Sequence, residues 1–67
     1  MKRRPTLFAI FLHEDPDGKV TVTGDYLGLG INAFDLGIDM MAHLDLISRE
    51  VPNMLTVRPV MISEYIH

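Results

Sequence analysis

The segment NAFDLGIDMMAHLDLISREV, residues 32–51, decides the fold, because it is long and periodic enough to predict a helix. On a helical wheel, its apolar residues fall on one stripe and most of its charged residues fall on the opposite side. The apolar stripe contains Leu36, Met40, Leu44, Ile47 and Val51, flanked by Gly37 and Met41, and the polar side contains Asp35, Asp39, His43 and Glu50. We therefore predict an amphipathic helix whose apolar stripe lies in the core.

This helix has more apolar surface than one small sheet would cover. Phe34 and Ile38 widen its apolar arc beyond the stripe. A chain of 67 residues buries only about 60% of the surface that its unfolded form exposes. No disulfide can add stability, because the sequence contains no cysteine. An apolar content of 48% therefore favours burial of the surplus against a second copy or another protein.

Two strands are predicted before the helix. Residues 6–13, which contain the run LFAIFL, predict a strand that is apolar on both faces, as is typical of a strand in the middle of a sheet covered on both sides. Residues 15–18, DPDG, predict a tight turn in which Gly18 takes a positive φ. Residues 19–26, KVTVTGDY, alternate between apolar and polar side chains, as a half-exposed strand does. These two strands should form a hairpin.

The remaining segments connect the helix to the sheet. Residues 27–31, LGLGI, form a glycine-rich connection, and Asn32 is a good N-cap for the helix. The helix should end by residue 51, because Pro52 follows. Residues 54–65, MLTVRPVMISEY, predict a last strand, and Pro59 should make it an edge strand or divide it.

The order strand, strand, helix, strand predicts a single α+β domain over residues 1–67, with residues 1–5 as a basic N-terminal arm. We expect a small two-layer β-β-α-β domain. Its three-stranded antiparallel sheet should have the spatial order 2-1-3, with the helix packed on one face. The other face of the central strand would then be open unless a second subunit or a partner covers it.

Charge and hydropathy narrow the class of protein. The formal net charge is −3, although residues 2–4, KRR, hold three of the six basic side chains. The acidic remainder argues against nucleic acid, which binds to gathered Lys and Arg. The apolar run after KRR is too short for a signal peptide, and HEDPDG follows it. We expect a cytoplasmic protein without a membrane segment.

Two weak motifs concern cofactors and metals. Residues 28–33, GLGINA, match the dinucleotide pattern G-x-G-x-x-A, but the alternating second strand favours a flexible connector, so no cofactor is predicted. Asp39 and His43 lie one helical turn apart and could bind a metal together with Asp35, although a solvated acidic face is the preferred interpretation. No nucleophile has a spaced histidine partner, so no catalytic residue is predicted.

One resemblance concerns the order of the central segments. An acidic-glycine turn at residues 15–18, an alternating strand, a glycine connector at residues 27–30 and an amphipathic helix follow one another. This order, over about two thirds of the chain, resembles HicB-type antitoxins. The Pro-Gly-Cys element of that family is absent after the second strand. The resemblance implies an antitoxin-like regulator.

We therefore expect a homodimeric interaction protein that acts as an inhibitor or regulatory subunit, encoded by a phage or a mobile element, rather than an enzyme. The predicted apolar contact residues are Phe8, Ile10, Leu12, Tyr26, Phe34 and Tyr65, with Leu7 and Phe11 as alternates on the open sheet face. Asp35, Asp39 and Glu50 should form an acidic rim for a basic partner. The alternatives are a small enzyme or ligand binder that uses His13 and His43 at a dimer interface, and a nucleic-acid binder that uses residues 2–4.

Overall fold

The structure is a computed structural model, which describes residues 5–28 and 30–62. Its elements in chain order are β1 (Phe8–Glu14), β2 (Val20–Tyr26), α1 (Ile31–Glu50), β3 (Leu55–Val57) and β4 (Met61–Ile62). The predicted α+β class is confirmed, since one helix accompanies one small sheet within these described ranges.

The strand order 2-1-3 is wrong, because β2 and not β1 lies in the middle of the sheet. β1 pairs with β2 in antiparallel fashion, and β3 and β4 pair with β2 in parallel on its other side. In the part of the chain that the structure describes, the sheet is therefore four-stranded and mixed rather than three-stranded and antiparallel. The 20 residues of α1 span about 30 Å, enough to return the chain to the start of β2, so the next strand runs parallel to it.

Pro59 divides the last strand, as the sequence predicts. It lies between β3 and β4, which pair with the two ends of β2. Proline has no N–H for the ladder, so pairing stops around it. The result is an edge made of two short pieces of strand.

The β1–β2 hairpin closes through the predicted turn. The N–H of Gly18 donates to the carbonyl of Asp15 at 2.9 Å, and the N–H of Asp15 donates to the carbonyl of Lys19 at 2.8 Å. Gly18 has a φ of 88°, which a residue with a side chain rarely adopts. The turn fixes the register in which Phe8 faces Tyr26 and Glu14 faces Val20.

The connection into α1 is shaped by Leu7. A Cβ atom on Gly28 or on Gly30 would collide with the Leu7 side chain, so both glycines make room for it. Gly30 is the N-cap, with φ −77° and ψ 108°, and its carbonyl accepts the first helical bond from Phe34 at 3.0 Å. Asn32 therefore lies inside the helix, and its predicted capping role is wrong because the helix starts one residue earlier.

Candidate interaction surface

The side of α1 that contacts the sheet is narrow and centred on Gly37 and Met41, the two buried residues of the helix. A Cβ atom on Gly37 would lie 2.5 Å from the Phe8 ring, so the absence of a side chain lets the helix rest on that ring. The Met41 side chain lies against Gly24 of β2 and is 5% exposed. The close approach of helix and sheet at Gly37 and Gly24 therefore sets the position of the helix on the sheet.

Three of the predicted contact residues form an aromatic cluster on the helix side of the sheet. The rings of Tyr26 and Phe34 meet edge to face with centroids 4.9 Å apart, and those of Phe8 and Tyr26 are 6.3 Å apart. Ile10 and Leu12 share the face of Phe8, because side chains alternate along β1. Of the two sets that the sequence left open for the uncovered face, Phe8, Ile10 and Leu12 therefore lie on the helix side, and the alternate Phe11 lies on the open face.

The predicted core stripe of α1 is largely exposed. Leu36 is 65% exposed and Met40 57% exposed, Ile47 is also exposed, and Leu44 and Val51 are half-buried. The prediction is wrong because the apolar arc of this helix is wider than a small sheet can contact, and the sheet covers only its Gly37–Met41 margin. We call the group formed by the exposed residues Leu36, Met40 and Ile47 and the half-buried Leu44 the lateral stripe.

The lateral stripe lies on the side of α1 that is turned towards the β1 edge of the sheet. The opposite side of the helix, with Ile38, Ala42 and Asp45, lines a groove of about 370 Å³ against residues 57–60. Those residues belong to the β3–β4 side of the sheet, and β1 lies on the other side of β2. The lateral stripe therefore lies on the side of α1 that is turned away from β3 and β4.

β1 is itself an incompletely covered edge strand. The Asp15–Lys19 and Leu7–Leu27 hydrogen bonds place odd-numbered residues of β1 in hydrogen-bonded pairs with β2. Alternation then points the backbone N–H and C=O groups of Phe8, Ile10, Leu12 and Glu14 outwards. Within residues 5–28 and 30–62, β1 pairs with β2 only.

The side chains in the second half of β1 are also poorly covered. Leu12 is 66% exposed on the helix side of the sheet, and Phe11 is 47% exposed on the open side. Near the start of the strand, Phe8 is held under Gly37. The helix therefore shields the beginning of β1 and leaves its end accessible.

The open face of the sheet is mixed in polarity. His13 Nε2 and Thr23 Oγ1 are 3.3 Å apart and share a hydrogen bond, and the His13 ring stacks near Phe11 with centroids 6.3 Å apart. Thr21 and Thr56 continue this face beside them. Apart from Phe11 and Met61, the described part of this face has little of the apolar surface that the sequence predicts there.

The outward side of α1 is acidic. Asp35, Asp39 and Glu50 are exposed and form no ion pair within the described part of the chain. Arg49, the basic residue of the helix, is 3.1 Å from the Asp45 carboxylate. The residues of the predicted acidic rim thus lie together on the outward side of α1, next to the lateral stripe.

The residues considered for a metal do not assemble into a larger cluster. The Nδ1–H of His43 donates to the backbone carbonyl of Asp39 at 2.7 Å, so this contact uses the backbone and not the carboxylate. Among the residues that the structure describes, no group of three potential ligands lies together. His13 and His43 lie on different elements and do not share a site.

Some predicted residues lie outside the described part of the chain, namely Tyr65 and residues 2–4. No helix within the described ranges has both the length and the apolar character needed to cross a membrane.

Comparisons with protein-family models, curated proteins and solved structures gave no match.

Sequence reasoning assigned the lateral stripe to the core and so missed it as a surface. One signal in the sequence could have distinguished the side of the helix that contacts the sheet from the side that stays exposed. Gly37 lies at the margin of the apolar arc, and a glycine in a helix marks close approach of a neighbouring layer. Centring the sheet-facing side on Gly37 and Met41 would have left Leu36, Met40 and Ile47 outside.

Proposed function

We propose that this chain is a small interaction module that acts by binding protein chains, as an inhibitor or regulatory subunit, and that it works as a homodimer. The observation that supports it best is the exposure of large apolar side chains on the lateral stripe and at the end of β1. Monomeric proteins rarely expose large contiguous apolar patches, and such patches mark interaction sites.

The size of the core supports self-association. Only Val22 and Met41 are buried apolar side chains within residues 5–28 and 30–62. A chain of this length without a disulfide gains stability most readily by sharing a core with a second copy. Association with a second copy should therefore stabilise the folded chain.

The acidic outward side of α1 supports a second, basic partner. Exposed carboxylates at Asp35, Asp39 and Glu50 attract a positively charged surface and accelerate encounter with it. A dimer would present two such surfaces. We propose that the regulated target is a protein with a basic surface, and that the cysteine-free chain meets it in the cytoplasm, in a phage or mobile-element setting.

Self-association is tested by sedimentation velocity and thermal unfolding over a range of protein concentrations. We expect a dimer whose Tm rises with concentration, because association stabilises the folded chain. The triple variant Leu36→Gln, Met40→Gln, Ile47→Gln should sediment as a monomer, with a Tm that no longer depends on concentration.

The matched control is Ala42→Gln, an exposed position on the opposite side of the same helix. It should leave the dimer intact. A wild-type chain that sediments as a monomer, with the same Tm at every concentration, would contradict the proposal.

The antitoxin-like alternative is the more specific form of the same proposal. The order of the β1–β2 hairpin and α1 supports it, because the resemblance rests on that order. This alternative requires a toxin as the basic target. It is tested by co-expression, since an antitoxin must relieve the growth arrest that its toxin causes.

The enzyme or ligand-binding alternative uses His13 of one copy and His43 of the other at a dimer interface, because the two side chains do not share a site within one chain. A divalent metal held by these side chains must raise the Tm of the folded protein, and His13→Ala or His43→Ala must abolish the rise. Equal Tm values with and without Zn²⁺ or Mn²⁺ would remove the metal-binding form of this alternative.

A further inference from the structure

We propose that the second copy docks along the outer edge of β1, so that two β1 strands pair in antiparallel fashion about a two-fold axis at Phe11. The inference rests on the proposed homodimer and specifies its interface. The two four-stranded sheets then form one continuous sheet, and both copies of α1 lie on the same face of it.

The two edges of the sheet differ in the features that block strand addition. Natural edge strands are protected by proline, lysine, bulges or short length. β1 is seven residues long, and its sequence FAIFLHE contains neither proline nor lysine. The β3–β4 edge consists of strands of three and two residues with Pro59 between them. Among the described residues, β1 is therefore the edge that can accept another strand.

The pairing register follows from the direction of the backbone groups. Outward N–H and C=O groups belong to the even-numbered residues, so even-numbered residues must face one another in hydrogen-bonded pairs. Centring the axis on Phe11 pairs Ile10 with Leu12 and Phe8 with Glu14 of the second copy. This register uses all seven residues of β1 and forms about eight hydrogen bonds, whereas a shift in either direction loses pairs.

The side chains match in this register. On the helix side of the sheet, exposed Leu12 comes to lie beside Ile10 of the second copy. On the open face, the two Phe11 rings meet at the axis. Glu14, the carboxylate of the strand, faces Phe8 and not a second carboxylate. No like charges oppose one another across the pair.

The helix layer supports the same arrangement. The lateral stripe is on the β1 side of α1, so pairing of the two β1 edges turns the two stripes towards each other. The acidic outward sides of the helices face away from the sheet and are not buried. One interface therefore covers both exposed apolar regions, the stripe and the end of β1. It also places β1 in the middle of a sheet, where its two apolar faces predict it to be.

The test uses single cysteines in a chain that has none. In the proposed register the two Phe11 residues form a non-hydrogen-bonded pair with Cα atoms about 4.5 Å apart, within disulfide range. Oxidation of the Phe11→Cys variant by glutathione disulfide should join two chains, with both electrons passing to glutathione. Non-reducing electrophoresis and intact mass measure the yield of covalent dimer.

Two control cysteine variants test whether the two-fold axis lies at Phe11. Thr23→Cys lies on the same face beside Phe11, but one strand further from the axis, so its Cα atoms would be about 14 Å apart. Leu12→Cys lies one residue from the axis, with Cα atoms about 8 Å apart across a diagonal. Both should give covalent dimer at least about tenfold more slowly than Phe11→Cys, because their separations exceed disulfide range.

Sedimentation of the same samples separates failure of this interface from failure of the homodimer. A non-covalent dimer in which Phe11→Cys crosslinks no faster than Thr23→Cys would overturn the β1 interface and leave the proposed homodimer standing. A monomer at all concentrations, with no crosslink, would overturn both.

A second variant covers the case in which Phe11→Cys does not fold. Leu12→Pro removes an outward N–H and no bond of the β1–β2 ladder, so the hairpin should persist while the dimer dissociates. His13→Pro removes an inward N–H and should unfold the hairpin. A Leu12→Pro chain that remains dimeric would contradict the proposed pairing.

Discussion

The two apolar sides of α1 have similar composition and opposite surroundings. Met41 is buried against Gly24, whereas Met40, the preceding residue, is 57% exposed. Gly37 rests on the Phe8 ring, whereas Leu36 beside it is 65% exposed. Two neighbouring methionines thus face the solvent and the sheet, because Gly24 and Gly37, and not the most apolar residues, determine which side of the helix the sheet can approach.

The largest effect on stability should come from Met41→Ala. Removing this buried side chain leaves a cavity against β2, which should lower the free energy of unfolding by about 3 kcal/mol. Urea unfolding followed by circular dichroism measures the difference. The measurement belongs at a concentration low enough for sedimentation to show a monomer, so that association does not contribute.

Met40→Ala is the matched control for that prediction. The same substitution one residue earlier should change the monomer by less than about 0.5 kcal/mol, since the side chain is exposed there. It should instead weaken dimerisation, by about tenfold in Kd if the loss is near 1.4 kcal/mol. Equal effects of the two substitutions on the monomer would show that the two sides of the helix do not differ as described.

A smaller effect is expected for Gly37→Ala. Alanine favours the helix by about 1 kcal/mol over glycine, but its Cβ would meet the Phe8 ring and force the helix away from the sheet at a cost of about 2 kcal/mol. The net result should be a loss of about 1 kcal/mol by urea unfolding. The exposed position Ala42 serves as control: Ala42→Gly should report the helix preference alone. A Gly37→Ala chain more stable than wild type would contradict close packing on Phe8.

Local features of the fold were predictable because neighbouring residues determine them. The bounds of α1 differ from the predicted ones by one residue at each end, since Gly30 and Pro52 terminate it. The turn at residues 15–18 formed with Gly18 at positive φ. Pro59 divided the last strand because it cannot donate to a ladder.

The strand order was not predictable by the same rules. A strand with two apolar faces is central in its own sheet only if the same chain covers both faces. β1 has two apolar faces but lies at the edge of its own sheet. The predicted orientation of α1 was wrong for a related reason, because the apolar arc of the helix is wider than the area that one sheet contacts. Both errors concern apolar surface that a single chain leaves exposed. This is the surface that the proposed second copy would cover.

Amide hydrogen exchange of β1 at several protein concentrations tests this assignment most directly. In dilute protein the odd-numbered amides, bonded to β2, should exchange slowly, while those of Ile10 and Leu12 point outwards and should exchange fast. As the concentration rises, the amides of Ile10 and Leu12 should become protected together with the dimer. Fast exchange of these two amides in a sample that sediments as a dimer would contradict the account.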